Sequence, residues 1–585
     1  MTELFNQALQ AQLANKLTLA LTLYKQLLAT QPTHKDSLFN AGLICAQIQD
    51  FNQAIYYLSQ AASIQKNAAI CSLLGLSYMN TQQSKKAIAY YQEAIIFDDQ
   101  EYMAHNHLGI LYCQNHEYKK GIQYLKKAIQ INPHEYAALS DLGMALMQQG
   151  EYQQAALYFK QAIIASNNQS TVAYQNLLLC LCFDESAFPK HYLEEAKKLD
   201  HLLQSHAVPF KNWPQTNKQQ HEPLNIGLIC GDINNHPVGY FLESFISHVN
   251  PKTLNFFVYN TSRYEDDLTL RVKPFIKKWT NIQQHSDQQS AQIIYRDGVH
   301  ILIDLAGHTA YNKLALFAFK PAPIQISFLG YFASTGMSFI DYFLTDIISV
   351  PPQYQYYFSE KIAYINQTRL CFSPPASRFN HPINPLPATI NGFITFGCFQ
   401  NLSKINIKTL KLWKEILANN SKNILILLNQ QFHDEIIKQE FTKKIIDIGI
   451  DPKQLVLKSG SSRSDYFKAY HDIDFMLDTF PYPGGTTTCE ALWMGVPTLT
   501  LSGKTLLERQ GHTIMCNAGL DDWVCFSENE YINKGIAFSE NLAKLSSIRS
   551  HLRSTLLEMP IMNAKKFANE FEQTLLNIWQ HHKKI

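Results

Sequence analysis

Two rhythms divide the chain. Over residues 1–169, small and apolar positions return every 33 or 34 residues. Gly42, Gly75, Gly109 and Gly143 form one series, and Ala61, Ala94, Ala128 and Ala162 a second. Ala20, Ala54, Ala87, Gly121 and Ala155 form a third. Small residues at fixed phases let the two helices of a hairpin approach closely, while Tyr118, Tyr152 and Phe159 fill gaps between hairpins. From residue 223 the pattern changes to short β-rich runs: NIGLICGD, NFFVYN, VHILIDLAG, IQISFLGY and DYFLTD. A second series, from about residue 392, holds ITFGCF, NILILLN, QLVLKS, DFMLDT and TLTL. Amphipathic stretches such as GYFLESFISHV, NIKTLKLWKEILAN and DEIIKQEFTKKIIDIG lie among them.

A repeat of about 34 residues with these phases predicts tetratricopeptide-repeat (TPR) hairpins. About five fill residues 1–169, starting at residues 1, 35, 68, 102 and 136, and Pro32 and Pro133 end their units. The run TVAYQNLLLCLCF reads as a helix capping the last hairpin, so 170–222 is assigned to a capping helix and a polar linker. Alternating strands and helices imply parallel sheets covered on both faces. One Rossmann-like domain is assigned to 223–388, a second to 389–560, and a closing helix to 561–585. The expected fold is an α-helical TPR solenoid followed by an α/β pair of Rossmann-like domains facing a cleft. Ligands of such sheets bind at the carboxyl ends of the strands. Repeats alone would describe a peptide-binding surface without chemistry.

Composition narrows the function. A net charge of +2 lacks the clustered Lys and Arg that coat nucleic acid or anionic membrane, so no nucleic-acid partner is expected. No basic segment followed by an apolar core opens the chain, and no run approaches the roughly 18 apolar residues of a membrane span. Eleven cysteines without a C-x-x-C pair suggest free thiols in a reducing, cytoplasmic compartment. Neither a dinucleotide fingerprint nor a P-loop follows any strand.

The chemistry concentrates in DFMLDTFPYPGGTTTCEALWMGVPTLTL. A buried strand over Phe475–Leu477 leads through Pro481, Pro483, Gly484 and Gly485 into a helix predicted to open at Thr486 and end near Gly495. A glycine turn followed by Thr486, Thr487 and Thr488 is an anion cradle. Free backbone N–H groups, the helix dipole and hydroxyl donors converge there. One N-cap would use one hydroxyl, not three. Glu490, a turn further, is in reach of a ribose hydroxyl. Asp472, Ile473 and Asp474 mimic a metal-binding D-x-D, but they run from a helix end into a buried strand and are read as structural. No metal site is expected.

This segment resembles the nucleocytoplasmic O-GlcNAc transferases and their SPINDLY relatives, and is most similar to their bacterial homologues. The resemblance runs through DINNHPVGYFLESF and through DGVHILIDLAGHTAYNKLALFAFKPAPIQISFLGYFASTGMSFIDYFLTD. FSEKIAY, ITFGCFQNLSKINIKTLKLW and ERQGHTIMCNAGL follow in the family's order, covering residues 225 to about 540. It implies a GT-B fold and an inverting, metal-independent transfer from a nucleoside-diphosphate sugar, with no cofactor beyond that co-substrate. Lys404 matches the family's catalytic lysine, and Asn401 a neighbouring donor-site residue that is often glutamine. Ser461, Ser462 and Arg463, then Tyr466, Phe467, Lys468 and Ala469, match the nucleotide loop and its following helix. Arg463 replaces a lysine, and Tyr466 stands where a histidine commonly stacks on the base. Thr486 and Thr487 would hold the diphosphate and Glu490 the ribose, while Gly485 occupies a position that is histidine in the animal enzymes. His236 matches the histidine proposed as general base, with Asp297 and His300 as the runners-up and His308 as an acceptor-side contact.

The resemblance implies a protein O-glycosyltransferase moving GlcNAc from UDP-GlcNAc to Ser/Thr hydroxyls, on proteins or peptides held by the concave TPR surface. Alternatives are the same fold with GDP-fucose or UDP-glucose, or a TPR scaffold with an inactive transferase domain. Lys404, His236, Thr486, Thr487 and Glu490 are all present, which speaks against decay. Self-association through the repeats belongs to the same expectation. The asparagine ladder of the animal arm is largely missing, since its positions hold Asn40, Leu73, His107 and Asp141.

Overall fold

The computed structural model describes residues 2–184, 189–213, 222–262, 264–375, 379, 381–460 and 462–583. It divides into two bodies, Met1–Ser170 and Thr171–Ile585. The first holds ten helices, paired in sequence as hairpins: α1 (Thr2–Leu13), α2 (Leu17–Thr30), α3 (Lys35–Gln47), α4 (Phe51–Ile64), α5 (Ala68–Asn80), α6 (Ser84–Phe97), α7 (Tyr102–Gln114), α8 (Tyr118–Ile131), α9 (Tyr136–Gln148) and α10 (Tyr152–Ala165). The small-residue series sits where paired helices cross. A Cβ on Gly75 would lie 2.7 Å from the Tyr91 ring, and one on Gly143 2.6 Å from Phe159, so a side chain there would push the hairpin open. Each hairpin turns through a left-handed residue at one phase of the repeat: Asn15, Gln49, Gln82, His116 and Gly150. The following N–H returns to the carbonyl five residues back at 2.8–3.0 Å, a Schellman closure.

The second body opens with α11 (Thr171–Leu181) and α12 (Lys190–Ser205). Where the sequence suggests a capping helix and a polar linker, two helices stand, and both group with the second body. An apolar helix such as α11 reads equally well against any neighbour. Polar contacts tie the pair to that body: from α11, Gln175 Nε2 donates to Asn312 Oδ1 (2.9 Å), and at α12, Gln204 Nε2 donates to Ser338 Oγ (2.8 Å) and the Ser338 N–H to Asp200 (3.0 Å).

A seven-stranded sheet follows: β1 (Leu224–Cys230), β2 (Leu254–Asn260), β3 (Lys278–Asn281), β4 (Ile301–Asp304), β5 (Ile324–Ser327), β6 (Tyr342–Thr345) and β7 (Lys361–Tyr364). All pairings are parallel, in the order β3-β2-β1-β4-β5-β6-β7. Between its strands lie α13 (Pro237–Ile246), α14 (Asp267–Val272), α15 (Asp287–Arg296) and α16 (Leu314–Phe317). After α17 (Pro387–Asn391), a second parallel sheet contains β8 (Thr395–Cys398), β9 (Ile424–Leu428), β10 (Leu455–Lys458), β11 (Phe475–Leu477), β12 (Thr498–Leu501) and β13 (Val524–Cys525). Its order is β10-β9-β8-β11-β12-β13. Its helices are α18 (Ile407–Ala418), α19 (Glu435–Ile448), α20 (Arg463–Ala469), α21 (Thr486–Trp493), α22 (Gln510–Asn517), α23 (Glu528–Glu540) and α24 (Leu542–Leu556).

The last helix, α25 (Ala564–His582), returns to the first sheet. Phe567, Phe571, Leu575 and Trp579 join the core formed by Ile226, Val258, Ile303 and Ile326. Conversely, Leu370 and Phe372, which follow β7, are buried in the second core. The two Rossmann-like halves are therefore laced together by both crossings. Among the described residues, no helix is long and apolar enough to cross a membrane.

Candidate active site

The order of strands reverses between β1 and β4 in the first sheet and between β8 and β11 in the second. Doubly wound sheets bind ligands at such points, beyond the carboxyl ends of the strands. The four loops leaving these strands line one cavity of about 500 Å³. Asp232 and His236 come from the loop after β1, Thr309 and Tyr311 from that after β4, and Lys404 from that after β8. The loop after β11 supplies Tyr482, Gly485, Thr486 and Thr487.

The helix opening at Thr486 is α21, and its N-cap, Gly485, has no side chain to cap it. Thr486 Oγ1 is buried without a hydrogen-bond partner, although Thr486 lines the cavity. The first N–H groups of any α-helix lack intrahelical acceptors. The start of α21 therefore offers the cavity unpaired donors and the positive end of a helix dipole.

Asp478, which the sequence reading passed over, folds this loop. It is fully buried after β11 and accepts from the N–H groups of Thr479 (3.0 Å) and Gly484 (2.8 Å), the Thr500 hydroxyl (2.8 Å) and Gln400 Nε2 (3.3 Å). Burial pushes its carboxyl up to about 6, while these donors and Lys404 pull it down. Asp304, the fully buried last residue of β4, accepts the N–H groups of Ala306 (3.1 Å) and Gly307 (2.9 Å) in the same manner. An acid closing an apolar run at the carboxyl end of a strand was the available signal for both.

Lys404 ends a 3₁₀ turn, Leu402–Lys404. Its Nζ donates to the Pro483 carbonyl (3.3 Å) and lies 3.4 Å from the centroid of the Tyr482 ring. Burial draws its pKa down to about 8, against the opposing pull of Asp478. Asn401 caps this turn by accepting the Ser403 N–H (3.1 Å); it is exposed and does not line the cavity.

His236 caps α13, its Nδ1 accepting the Val238 N–H at 3.3 Å. The neutral ring then carries its hydrogen on Nε2, and protonating Nδ1 would break the cap. Its side chain is 43% exposed, with Asp232 Oδ2 3.9 Å from Nδ1. Burial holds its pKa below the usual histidine value, only partly offset by Asp232, so the ring is neutral at pH 7.

A second cavity, of about 530 Å³, shares α13 and α21 with the first and is lined by Tyr240, Phe379, Arg463 and Glu490, among others. Glu490 is 2% exposed, pairs with the Arg463 guanidinium and accepts the Tyr466 hydroxyl (2.8 Å). That hydroxyl also shares a hydrogen bond with Tyr470 (2.6 Å). Both carboxylate oxygens assigned to a ribose are thus engaged by protein. Ser462 caps α20, accepting the Asp465 N–H (3.1 Å). Phe467 is buried in the core, Lys468 is exposed, and Ala469 packs against the core; none of the three lines either cavity. Ser461 lies outside the described residues.

Three sequence candidates sit elsewhere. His300 immediately precedes β4, so it lies at the amino end of the sheet, opposite the cleft. It is fully buried, its Nδ1 accepts the Asn225 N–H (3.0 Å), and its ring meets Trp579 edge-on. Asp297, at the end of α15, pairs with Lys278 (2.6 Å) and accepts the Tyr259 hydroxyl (2.9 Å). Neither can serve as base for chemistry at the carboxyl ends of the strands. His308 is buried against Tyr331, with Nε2 on the Thr335 carbonyl (2.7 Å), and its neighbour Thr309 lines the cavity instead. Asp474 accepts the N–H groups of Ala388 (2.9 Å) and Thr395 (2.8 Å), and Asp472 pairs with Lys458 (2.7 Å). Among the described residues, no three His, Cys, Asp or Glu side chains are grouped to hold a metal ion.

Comparison with known proteins agrees with this architecture. The profile of glycosyl transferase family 41 matches residues 194–381 and 386–571, and TPR profiles match 5–69, 68–98 and 113–178. The chain is 32% identical over 415 residues to a protein of Oryza sativa subsp. japonica named "Probable UDP-N-acetylglucosamine–peptide N-acetylglucosaminyltransferase SPINDLY". That match covers 70% of this chain and 44% of the rice protein. The protein of the same name in Arabidopsis thaliana is 33% identical over 368 residues, 62% of this chain and 40% of the relative. The chain thus spans under half the length of these plant relatives. Among solved structures, an O-GlcNAc transferase of Thermobaculum terrenum superposes with a TM-score of 0.80 at 26% identity, over 88% of this chain and 98% of that one. With a family match across both Rossmann-like halves and this superposition, the chain belongs to glycosyl transferase family 41.

Proposed function

We propose that this chain transfers a sugar from a nucleoside-diphosphate donor to a protein hydroxyl, with inversion and without a metal. UDP-GlcNAc is the leading donor, as the names of the relatives suggest, and Ser/Thr side chains are the acceptors in this reading. The observation that carries the reading is the uncapped start of α21. An unpartnered Thr486 hydroxyl there lines the same cavity as Lys404. The diphosphate rests on that helix start, between Thr486, Thr487 and the Lys404 ammonium. The acceptor oxygen attacks the anomeric carbon in line as the bond to the diphosphate oxygen breaks. The electron pair leaves with the diphosphate, whose growing charge is met by Lys404 and the helix N–H groups. The hydroxyl proton passes to a base, for which His236, neutral and lining the cavity, is the candidate; it would take the proton on Nδ1 and give up the Val238 N–H that this nitrogen now accepts.

A second donor, GDP-fucose, is favoured by one feature at the base-stacking position, which leaves UDP-glucose, with its uracil, no more favoured than UDP-GlcNAc. Tyr466 bonds Glu490 and Tyr470, which differs from the stacking histidine usual at this position. The protein acceptor is assigned to the concave face of the repeats. The eleven free cysteines suit a reducing, cytoplasmic setting. Thermal unfolding with a panel of nucleotide sugars tests the donor, since a ligand at a hundred times its Kd adds about 2.7 kcal/mol. Mass spectrometry of a Ser/Thr peptide tests transfer. Stabilisation by no nucleotide sugar would refute the proposal.

A further inference from the structure

We propose that Tyr482 is a positioning residue for Lys404, and that Phe183, from the connection after α11, holds Tyr482 in place. The inference rests on reading Lys404 as the cation that receives the leaving diphosphate. A lysine carries its charge on a flexible four-carbon stem with three rotatable donors, so something must fix it at the mouth of the cavity. Among the described residues its partners are one neutral carbonyl, of Pro483, and the face of the Tyr482 ring. Asp478, the acid whose charge acts on it, already receives four donors.

The ring is built to stay. Tyr482 lies between Pro481 and Pro483, whose rings restrict the backbone on both sides. Phe183 stacks on it at 5.0 Å between centroids and 14° between planes. Phe332 leans on it at 5.5 Å and on Phe183 at 5.8 Å. An aromatic face suits this task better than a carboxylate. It attracts the ammonium through its quadrupole without neutralising it, leaving a full positive charge for the incoming diphosphate and no negative charge to repel it. The pair of helices ahead of the first sheet thereby takes part in catalysis at a distance, through Phe183, which lines neither cavity.

The test compares the full-length parent with Lys404→Ala, Tyr482→Phe, Tyr482→Leu and Phe183→Ala. It measures kcat and the donor KM, and in parallel the labelling rate of Lys404 by an amine reagent, read by mass spectrometry at fixed pH. Tyr482→Phe keeps the ring and should turn over within about twofold of the parent, whereas Tyr482→Leu should lower kcat roughly 2- to 30-fold, the range of one cation–π contact. Phe183→Ala should lower kcat in the same direction with the donor KM unchanged. In both deficient variants Lys404 should label faster, because its charged form has lost its support. Retained transfer in Lys404→Ala would overturn the role of Lys404 itself. An inactive Lys404→Ala beside parental kcat and labelling in Tyr482→Leu and Phe183→Ala would overturn the positioning role alone. A change confined to KM would do the same. Should Tyr482→Leu fail to fold, Phe183→Ala decides.

Discussion

The depressed pKa of Lys404 has a direct kinetic consequence. The amine must be charged to receive a diphosphate, and burial brings its pKa from the lysine norm to about 8. At pH 9 roughly a tenth of the free enzyme would then hold the cation, against about 96% for an ordinary lysine with a pKa near 10.4. The profile of kcat/KM for the donor, which reports the free enzyme, should fall about tenfold per pH unit above 8. A bound diphosphate favours the charged amine, so the limb in kcat should lie higher. Stability must move the other way. The unfolded chain holds this proton up to about pH 10.4 and the folded one releases it near 8, so Lys404 adds stability as pH rises through that window. Loss of activity there cannot be unfolding driven by this group. The assay is initial-rate transfer to a peptide at limiting donor from pH 6 to 10.5, with circular dichroism at each pH. Lys404→Arg, which stays charged throughout, should abolish the limb at the expense of rate. An alkaline limb at or above pH 10 in the parent, or an unchanged limb in Lys404→Arg, would refute the reasoning.

Four further outcomes are expected. His236→Asn should melt like the parent, because asparagine caps a helix well, whereas His236→Ala should lose about 0.5–2 kcal/mol; parental turnover in His236→Asn would remove the ring as base. Phe571→Ala, deep in the first core although near the end of the chain, should cost about 3–5 kcal/mol in denaturant unfolding, and a loss below 1 kcal/mol would contradict the packing of α25. Transfer should survive EDTA, and activity lost to it and restored by magnesium or manganese would show that a cation does the work assigned to Lys404. Removing residues 1–135 should leave donor affinity by calorimetry unchanged in a soluble product while lowering modification of folded proteins; lost donor binding would refute that separation of tasks.

The parts legible in the sequence were those where one physical demand dominates. The repeat was readable because Gly75 and Gly143 lie where any Cβ would collide with the opposing helix. Inner strands such as β1, β4 and β11 were readable because burial on both faces leaves unbroken apolar runs. The edge strands β3, β7 and β13 were not. β3 and β7 are partly exposed, and β13 is two residues long. Thr486 and Lys404 could be singled out because their motifs are local. The ring that holds Lys404 comes from a distant stretch of chain, which no spacing rule encodes, and Asp478 reaches Gln400 across 78 residues; Asp304 acts on the turn directly after it. His300 and Asp297 misled for a related reason. A short strand separates the two ends of a sheet by only a few residues in sequence, while the chemistry occurs at one end alone.

The return of α25 to the first sheet bears on the order in which the chain can acquire structure. The seventh strand ends at Tyr364, yet Phe567, Phe571 and Trp579, which complete the same core, emerge some 200 residues later. At roughly 5–20 residues per second on the ribosome, the first Rossmann-like half would wait on the order of 10–40 s with an open apolar face. The repeats, whose contacts are local, can close meanwhile, and the second half is finished before the helix that seals the first has left the exit tunnel. The half made earlier is the one that matures last, which makes this interval the period when nascent chains are most open to chaperones and to aggregation.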